Sequence, residues 1–405
     1  MTRTERTYYL LFGLYTQWGW FMAPVYPLFL LGLGLDLFQM NVVLAIYLTS
    51  VFLFEVPTGA VADLFGRKPS FLLSCAVRTC AFALYARADS FADCVVAEVL
   101  DALGSTLASG ALDAWAIDGM RAEGGRMPTD RFFARAQTLS RIVMVVGGVC
   151  SGYLAMISFR VNWSVAAAGF AVTGFLAAYL MEEAPRARTA SATVRGAYWE
   201  TVRAGVAIVA ASRELRILCV LSFAIVFAAV PTHMTWPARL REIAGGEVWV
   251  LGWVWAFING TAMLGSYVLP QLLMRFRREH VLVFSALWRG ATLLVAALSG
   301  SFVPVVIGVL LQEAAFGLSE PIFLSWINDR IGPEQRATII SVRSMFVTLG
   351  GAVGLLCLGL VARGYGIPLA WALSATLLLL TAPWFLLLGS RALALAALDN
   401  VRRAD

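Results

Sequence analysis

The sequence predicts an all-α membrane protein of twelve transmembrane helices, built as two pseudo-symmetric six-helix bundles. Three observations carry that expectation. The 405-residue chain is 60% hydrophobic and 14% charged, with a mean hydropathy of +0.77, and has too few polar residues to cover a soluble domain of its size. Its apolar runs are each near the roughly 20 residues that a helix needs to cross a bilayer. The runs fall in two sets of six around a short polar middle.

In chain order, helices are expected over 8–31, 41–62, 69–88, 91–118, 133–158 and 163–181. The first run is too long for a secretory leader and shows no cleavage site, so it stays as a span; Pro24 and Pro27 should bend it. Residues 1–182 form the first bundle. The polar stretch that follows reads as a cytoplasmic linker over 183–212, in which YWETVRAGVAIVAASREL can lie as a helix along the membrane surface. The second bundle occupies 213–405, with helices over 213–238, 247–274, 281–299, 302–328, 337–361 and 367–389.

Arginine and lysine set the orientation. With the N-terminus inside, 22 of the 31 basic residues fall in cytoplasmic segments. Only Arg87, Arg160, Arg239, Arg241 and Arg363 fall outside, and Arg78, Arg141, Arg289 and Arg343 lie within spans. Both termini are therefore expected in the cytoplasm of a bacterial cell, with the chain in its inner membrane. The net charge of +6 punctuates apolar runs and forms no polar face, which argues against nucleic acid as a partner. The six cysteines are scattered, and the two histidines, His233 and His280, are too few for a metal site. No phosphate-binding or dinucleotide loop and no catalytic triad appears, so neither an enzyme nor a cofactor is expected.

A shift of 211 residues aligns the halves without a gap. Phe65 meets Phe276, Arg67 meets Arg278, Ser74 meets Ser285 and Arg78 meets Arg289. Further on, Ser90–Phe91 meet Ser301–Phe302, Trp115 meets Trp326 and Asp118 meets Asp329. Six spans is an even number, so both halves share one topology, as in parallel repeats about the membrane normal.

The stretch GAVADLFGRK, with Gly59, Asp63, Gly66, Arg67 and Lys68, resembles the loop signature G-x-x-x-D-x-x-G-R-K of the major facilitator superfamily. Taken with the twelve spans and the repeat, the resemblance extends over nearly the whole chain. Glu55–Val56–Pro57–Thr58 before the motif and SGALDAWAID at 109–118 look like a drug–proton antiporter-like branch. The resemblance implies a cytoplasmic latch: Asp63 facing the start of the eleventh helix near Ala337, and Arg67 pairing with Asp118. In the second copy Asp63 becomes Met274 and Gly66 becomes Arg277, leaving Arg278 and Asp329 to pair. Two departures weaken antiporter status: Glu98 and Asp101 stand where such exporters carry an arginine, and GGVCSGY (Gly147, Gly148, Gly152) lacks their proline.

An ionisable group at bilayer depth costs at least about 2.5–3.5 kcal/mol, so it pairs or faces water. Arg78 with Asp101 and Arg289 with Glu313 are expected as equivalent pairs. Glu98, Asp101, Ser105, Ser109 and Asp113 share one face of the fourth helix, as Glu313, Gly317 and Glu320 do on the tenth. The resemblance implies that helices 1, 4, 7 and 10 line the central cavity. There a carboxyl can take up a proton and release it when a cation arrives. Asp101 and Glu313 lead as proton-coupling residues, with Glu98, Asp113 and Glu320 behind them. Arg141 and Arg343 are expected to pair with Asp113 and Glu320, or to meet an anionic solute. Gln17, Trp20, Tyr26, His233 and Asn259 are substrate-cavity candidates, since rings beside a few polar groups suit a small ligand.

The expected function is secondary transport by alternating access in a monomer, with proton-coupled export of a small, largely apolar compound foremost. Uptake or facilitated diffusion of a polar or anionic solute is the alternative, and a non-transporting sensor or scaffold is the alternative of another class. The expected partners are a small-molecule substrate, protons and the lipid bilayer.

Overall fold

The computed structural model describes residues 1–124, 127–182, 203, 207–330 and 333–388, without the side chains of Val56, Ala60, Asp63, Asp130, Asn328, Arg330 and 333–337. It is all-α, with no strand among the described residues. Each of the twelve expected segments is helical. By contacts the chain divides into two units, residues 1–197 with 245–259, and residues 198–244 with 260–405. Of the expected surface helix at 198–215, residues 203 and 207–215 are described, with 207–211 helical, and the others lie outside the described residues.

In the first unit the helices are α1 Arg3–Trp20, α2 Tyr26–Gly32, α3 Leu37–Phe65, α4 Arg67–Tyr85, α5 Phe91–Ala108, α6 Ala111–Ala122, α7 Thr129–Ala155 and α8 Phe159–Leu180. Their starts are written in the sequence. Thr2 with Glu5, Asp36 with Gln39 and Ser90 with Asp93 form reciprocal capping boxes that satisfy the first free amides. The box at Asp36 starts α3 ahead of the apolar run expected from 41. Gly66 joins α3 to α4 at φ +105°, a conformation that only glycine adopts readily.

Two spans are broken. The first is interrupted between Trp20 and Tyr26, where Pro24 and Pro27 forbid a continuous ladder. The fourth is interrupted at Ser109–Gly110, with Gly110 left-handed at φ +68°. That break was not anticipated.

The rest of the chain forms α9 Arg213–Ala244, α10 Trp249–Leu273, α11 Arg278–Leu298, α12 Phe302–Arg330, α13 Pro333–Tyr365, α14 Ile367–Thr381 and a terminal 3₁₀ turn Ala382–Leu388. Among the described residues nine helices are long and apolar enough to span a membrane. The other three expected spans are the broken α1–α2 pair, the basic α4 and the tryptophan-rich α10. Large apolar side chains such as Leu53, Phe175, Tyr179, Leu298 and Leu380 are exposed, as lipid-facing residues are.

Within the first unit α4 packs on α5 and α8, α3 on α5, and α1 on α7 and α8. Within the second, α9 packs on α13, and α11 on α12 and α14. The repeat holds at atomic register. Ser74 Oγ donates to Gly104 O at 2.6 Å, and its counterpart Ser285 Oγ donates to Ala315 O at 2.7 Å.

Candidate functional site

The first unit encloses a cavity of about 410 Å³, lined by α1, α2, α3, α4, α5 and α8. Its polar floor begins with Arg78 on α4. Arg78 donates through Nε to Asp101 Oδ1 at 2.7 Å and through Nη2 to Asp101 Oδ2 at 3.2 Å. Both side chains are nearly buried, and the two-point contact matches the guanidinium fork to the carboxylate. Aromatic rings complete the enclosure: Arg78 Cζ lies 4.4 Å from the Phe170 centroid, 5.1 Å from Tyr15 and 5.5 Å from Phe82. A side chain at Gly104 would lie 2.4 Å from Arg78 Cγ, so glycine there is what lets α4 and α5 close around the pair.

One turn before Asp101, Glu98 is 5% exposed and accepts from the Tyr85 hydroxyl. Tyr85 lies 2.9 Å from the Tyr26 hydroxyl, so a chain of hydroxyls leads from Glu98 to α2. Glu98 takes part in no ion pair among the described residues. Tyr47 donates to Ser105 Oγ at 3.2 Å. Trp163 stacks on Tyr85 at 4.2 Å, and Trp20 also lines the cavity.

Of the expected site residues, Asp101, Glu98, Arg78, Trp20 and Tyr26 meet here. Others lie elsewhere. The break at Gly110 turns α6 out of register with α5, so Asp113 leaves the common face and accepts from Tyr8 Oη at 2.7 Å. Ser109 donates to Glu55 at 2.8 Å. Arg141 therefore does not pair with Asp113; it donates to Asn259 Oδ1 at 3.0 Å. Gln17 does not line the cavity either. It packs on Gly147, where any Cβ would sit 2.2 Å from Gln17 Nε2. Gly148 and Gly152 likewise bring α7 against Trp255 and the backbone of Trp249 and Gly252. Tyr15, Tyr47, Tyr85 and Trp163 were missed. Their signal was present: hydroxyl or indole groups within apolar spans that need a polar neighbour.

In the second unit Arg343 pairs with Glu320 as expected, at 3.0 and 2.9 Å, and also donates to Ser222 Oγ at 3.0 Å. The expected pair of Arg289 with Glu313 does not form. Glu313 is instead 3.2 Å from His233 Nε2 and 3.4 Å from Gln312 Nε2. The reason is register: 211 residues beyond Asp101 stands Gln312, and Glu313 is one residue, about 100° of helix, further round.

At the end of the first unit that bears the loop motif, Arg67 pairs with Asp118 and also donates to Ala114 O. Lys68 donates to Ala178 O at 2.8 Å and Met181 O at 2.6 Å, capping the C-terminus of α8. In the second unit Arg278 reaches Asp329 at 2.5 Å. Gly59 has open space around it, and the Asp63 side chain and Ala337 lie outside the described side chains.

The helices have the arrangement of a multi-pass membrane protein with the major facilitator fold. Residues 250–397 match the family model of the Major Facilitator Superfamily. An uncharacterized MFS-type transporter of Bacillus subtilis (strain 168), YxaM, is 22% identical over 371 residues, covering 88% of this chain and 89% of its own. Among solved structures, the nucleoside transporter NupG is similar with a TM-score of 0.78 at 14% identity, covering 96% of this chain and 99% of its own. A bacterial homologue of the human lysosomal transporter Spinster, inward-facing and occupied, gives 0.74 at 13% identity, covering 95% and 96%. A D-xylose–proton symporter gives 0.69 at 12% identity, covering 94% and 95%.

Proposed function

We propose that the protein is a proton-coupled secondary transporter of the bacterial cytoplasmic membrane that carries a small, polar, ring-bearing solute without net negative charge. The observation that carries this reading is the charge balance of the first-unit cavity. Arg78 is spent on Asp101, so no free cation is left there for an anionic solute. Glu98 remains, held by a tyrosine hydroxyl and without a counter-ion. A carboxyl at that depth with no counter-ion is costly in its charged form, which supports Glu98 as the proton carrier. Asp101, fixed by Arg78, is a strut.

The cavity volume of about 410 Å³ lies within the roughly 300–1,000 Å³ of small-molecule sites. Faces of Trp20, Trp163 and Tyr15 suit a ring, while the hydroxyls of Tyr26, Tyr47 and Ser105 suit its polar edge. The similarity to a nucleoside transporter and a D-xylose–proton symporter supports a polar solute over export of an apolar one. The ion pair of Arg67 with Asp118, partly exposed and of the kind worth about 0–1 kcal/mol, is weak enough to serve as the latch at the cytoplasmic end. The monomer, with both termini inside, is the working unit.

Purified protein in liposomes, offered nucleosides and monosaccharides, should accumulate a solute under an imposed pH gradient. Glu98→Gln retains the bond from Tyr85, so it should still exchange solute at equal concentrations while losing accumulation. Accumulation indifferent to pH, or wild-type accumulation by Glu98→Gln, would reject the reading.

A further inference from the structure

The two halves of the chain treat the same arginine differently. Arg78 closes its Nε and Nη2 on the carboxylate of Asp101. Arg289 is 2% exposed, and the same two atoms, Nε and Nη2, have no hydrogen-bond partner. The surrounding register is conserved. Ser285 to Ala315 repeats Ser74 to Gly104, and Arg278 to Asp329 repeats Arg67 to Asp118. By that register Gln312 holds the position on its helix that Asp101 holds in the first half, as Arg289 holds that of Arg78. Its Oε1 is also without a partner, and its amide nitrogen is 3.4 Å from Glu313. The charges of Glu313 and Glu320 act on Arg289 through space, but Glu313 Oε1 is engaged by His233 and Gln312, and both oxygens of Glu320 are engaged by Arg343. The Phe316 ring lies 5.3 Å from Arg289 Cζ.

A buried guanidinium with an empty fork is costly to keep, and its geometry is that of a carboxylate receptor. We propose that Arg289 with Gln312 forms a binding site for a planar oxyanion, of which a carboxylate is the model, in the place that Asp101 fills in the first half. The two parallel N–H donors take two oxygens of the anion. The anion enters when the unit opens, and for that step alone the proposal rests on the transport reading above.

The test uses the purified full-length protein and thermal unfolding in formate, acetate, nitrate or chloride. Formate, acetate and nitrate, which present two coplanar oxygens, should raise the unfolding temperature with concentration and saturate; chloride should do so less. Gln312→Asp rebuilds the Asp101 arrangement. It should unfold at a higher temperature than the wild type without any anion, and it should lose the response. Glu98→Gln, which stops proton coupling, should keep the response, so failure of the site and failure of the transport reading are distinguishable. A wild type indifferent to every oxyanion, or an undiminished response in Gln312→Asp, overturns the proposal. So does a response that appears only in Glu313→Gln, which would mean that Glu313 occupies the fork.

Discussion

Arg78 and Asp101 meet through two hydrogen bonds from Nε and Nη2, between side chains that are 6% and 12% exposed. A buried ion pair is costly to make and costlier to halve. Replacing one partner leaves the other charged, desolvated and alone, a loss of about 3–5 kcal/mol. Asp101→Asn should therefore unfold well below the wild type in detergent, as followed by helical circular dichroism. Arg78→Met combined with Asp101→Leu removes both charges and should recover most of the loss. If the single and double variants are equally unstable, packing and not the unpaired charge is responsible.

Lys68, the one lysine in the chain, places its ammonium on the last carbonyls of α8 at 2.8 and 2.6 Å. A cation at a helix C-terminus answers both the free carbonyls and the dipole, typically by about 0.3–1 kcal/mol. Lys68→Met keeps the aliphatic stem and removes the charge, so the unfolding temperature should fall slightly. Lys68→Arg should restore part of it. A stability unchanged in Lys68→Met would show that the contact contributes nothing.

Helix existence and the pairing of Arg67 with Asp118 were legible because their signals are local. An apolar run of span length, or Arg67 and Asp118 at the positions of a motif and its repeat, needs no knowledge of packing. Arg343 with Glu320 was also legible, since like depth on neighbouring spans leaves a buried arginine few partners. What failed was angular. The left-handed turn at Gly110 swings Asp113 away from Glu98 and Asp101, and glycine in a membrane helix does not announce whether it breaks the helix or lets a neighbour approach. A single step from Gln312 to Glu313 decides whether Arg289 is paired. Depth alone does not resolve a rotation of about 100°.

Gly148 and Gly152 on α7 show the second use of glycine. A Cβ on Gly148 would sit 2.3 Å from Trp255 Cδ1, and one on Gly152 would sit 2.9 Å from Trp249 O. At Gly152 the neighbour is backbone and has no rotamer to change. Gly152→Val should force α7 away from residues 249–252, at about 1–3 kcal/mol for overpacking, and abolish solute flux in liposomes. Gly32→Ala, with nothing within 4 Å of its Cβ, is the matched control and should transport normally. Normal flux in Gly152→Val would show that the close approach is dispensable.

Glu123 ties the first turn of α1 to the end of α6. It accepts from Thr4 Oγ1 at 2.6 Å and from Thr4 N at 3.2 Å. The Thr4 hydroxyl, against the opposing cost of burial and helped by Thr2 and backbone donors, holds its carboxyl below the usual glutamate range. A carboxyl lowered in the folded state favours folding above its unfolded pKa, and that contribution is lost as pH falls through the folded value. Amide hydrogen exchange over the first turns of α1, corrected for intrinsic rates, should therefore show more frequent opening at acid pH than at neutral pH. The change should begin below the ordinary glutamate pKa of about 4.3. Glu123→Gln keeps an acceptor but cannot titrate, so its protection should be lower at neutral pH and should change less with acidification. An identical acid response in the variant would assign the opening to another group, Glu5 of the α1 capping box being the nearest by sequence to Thr4.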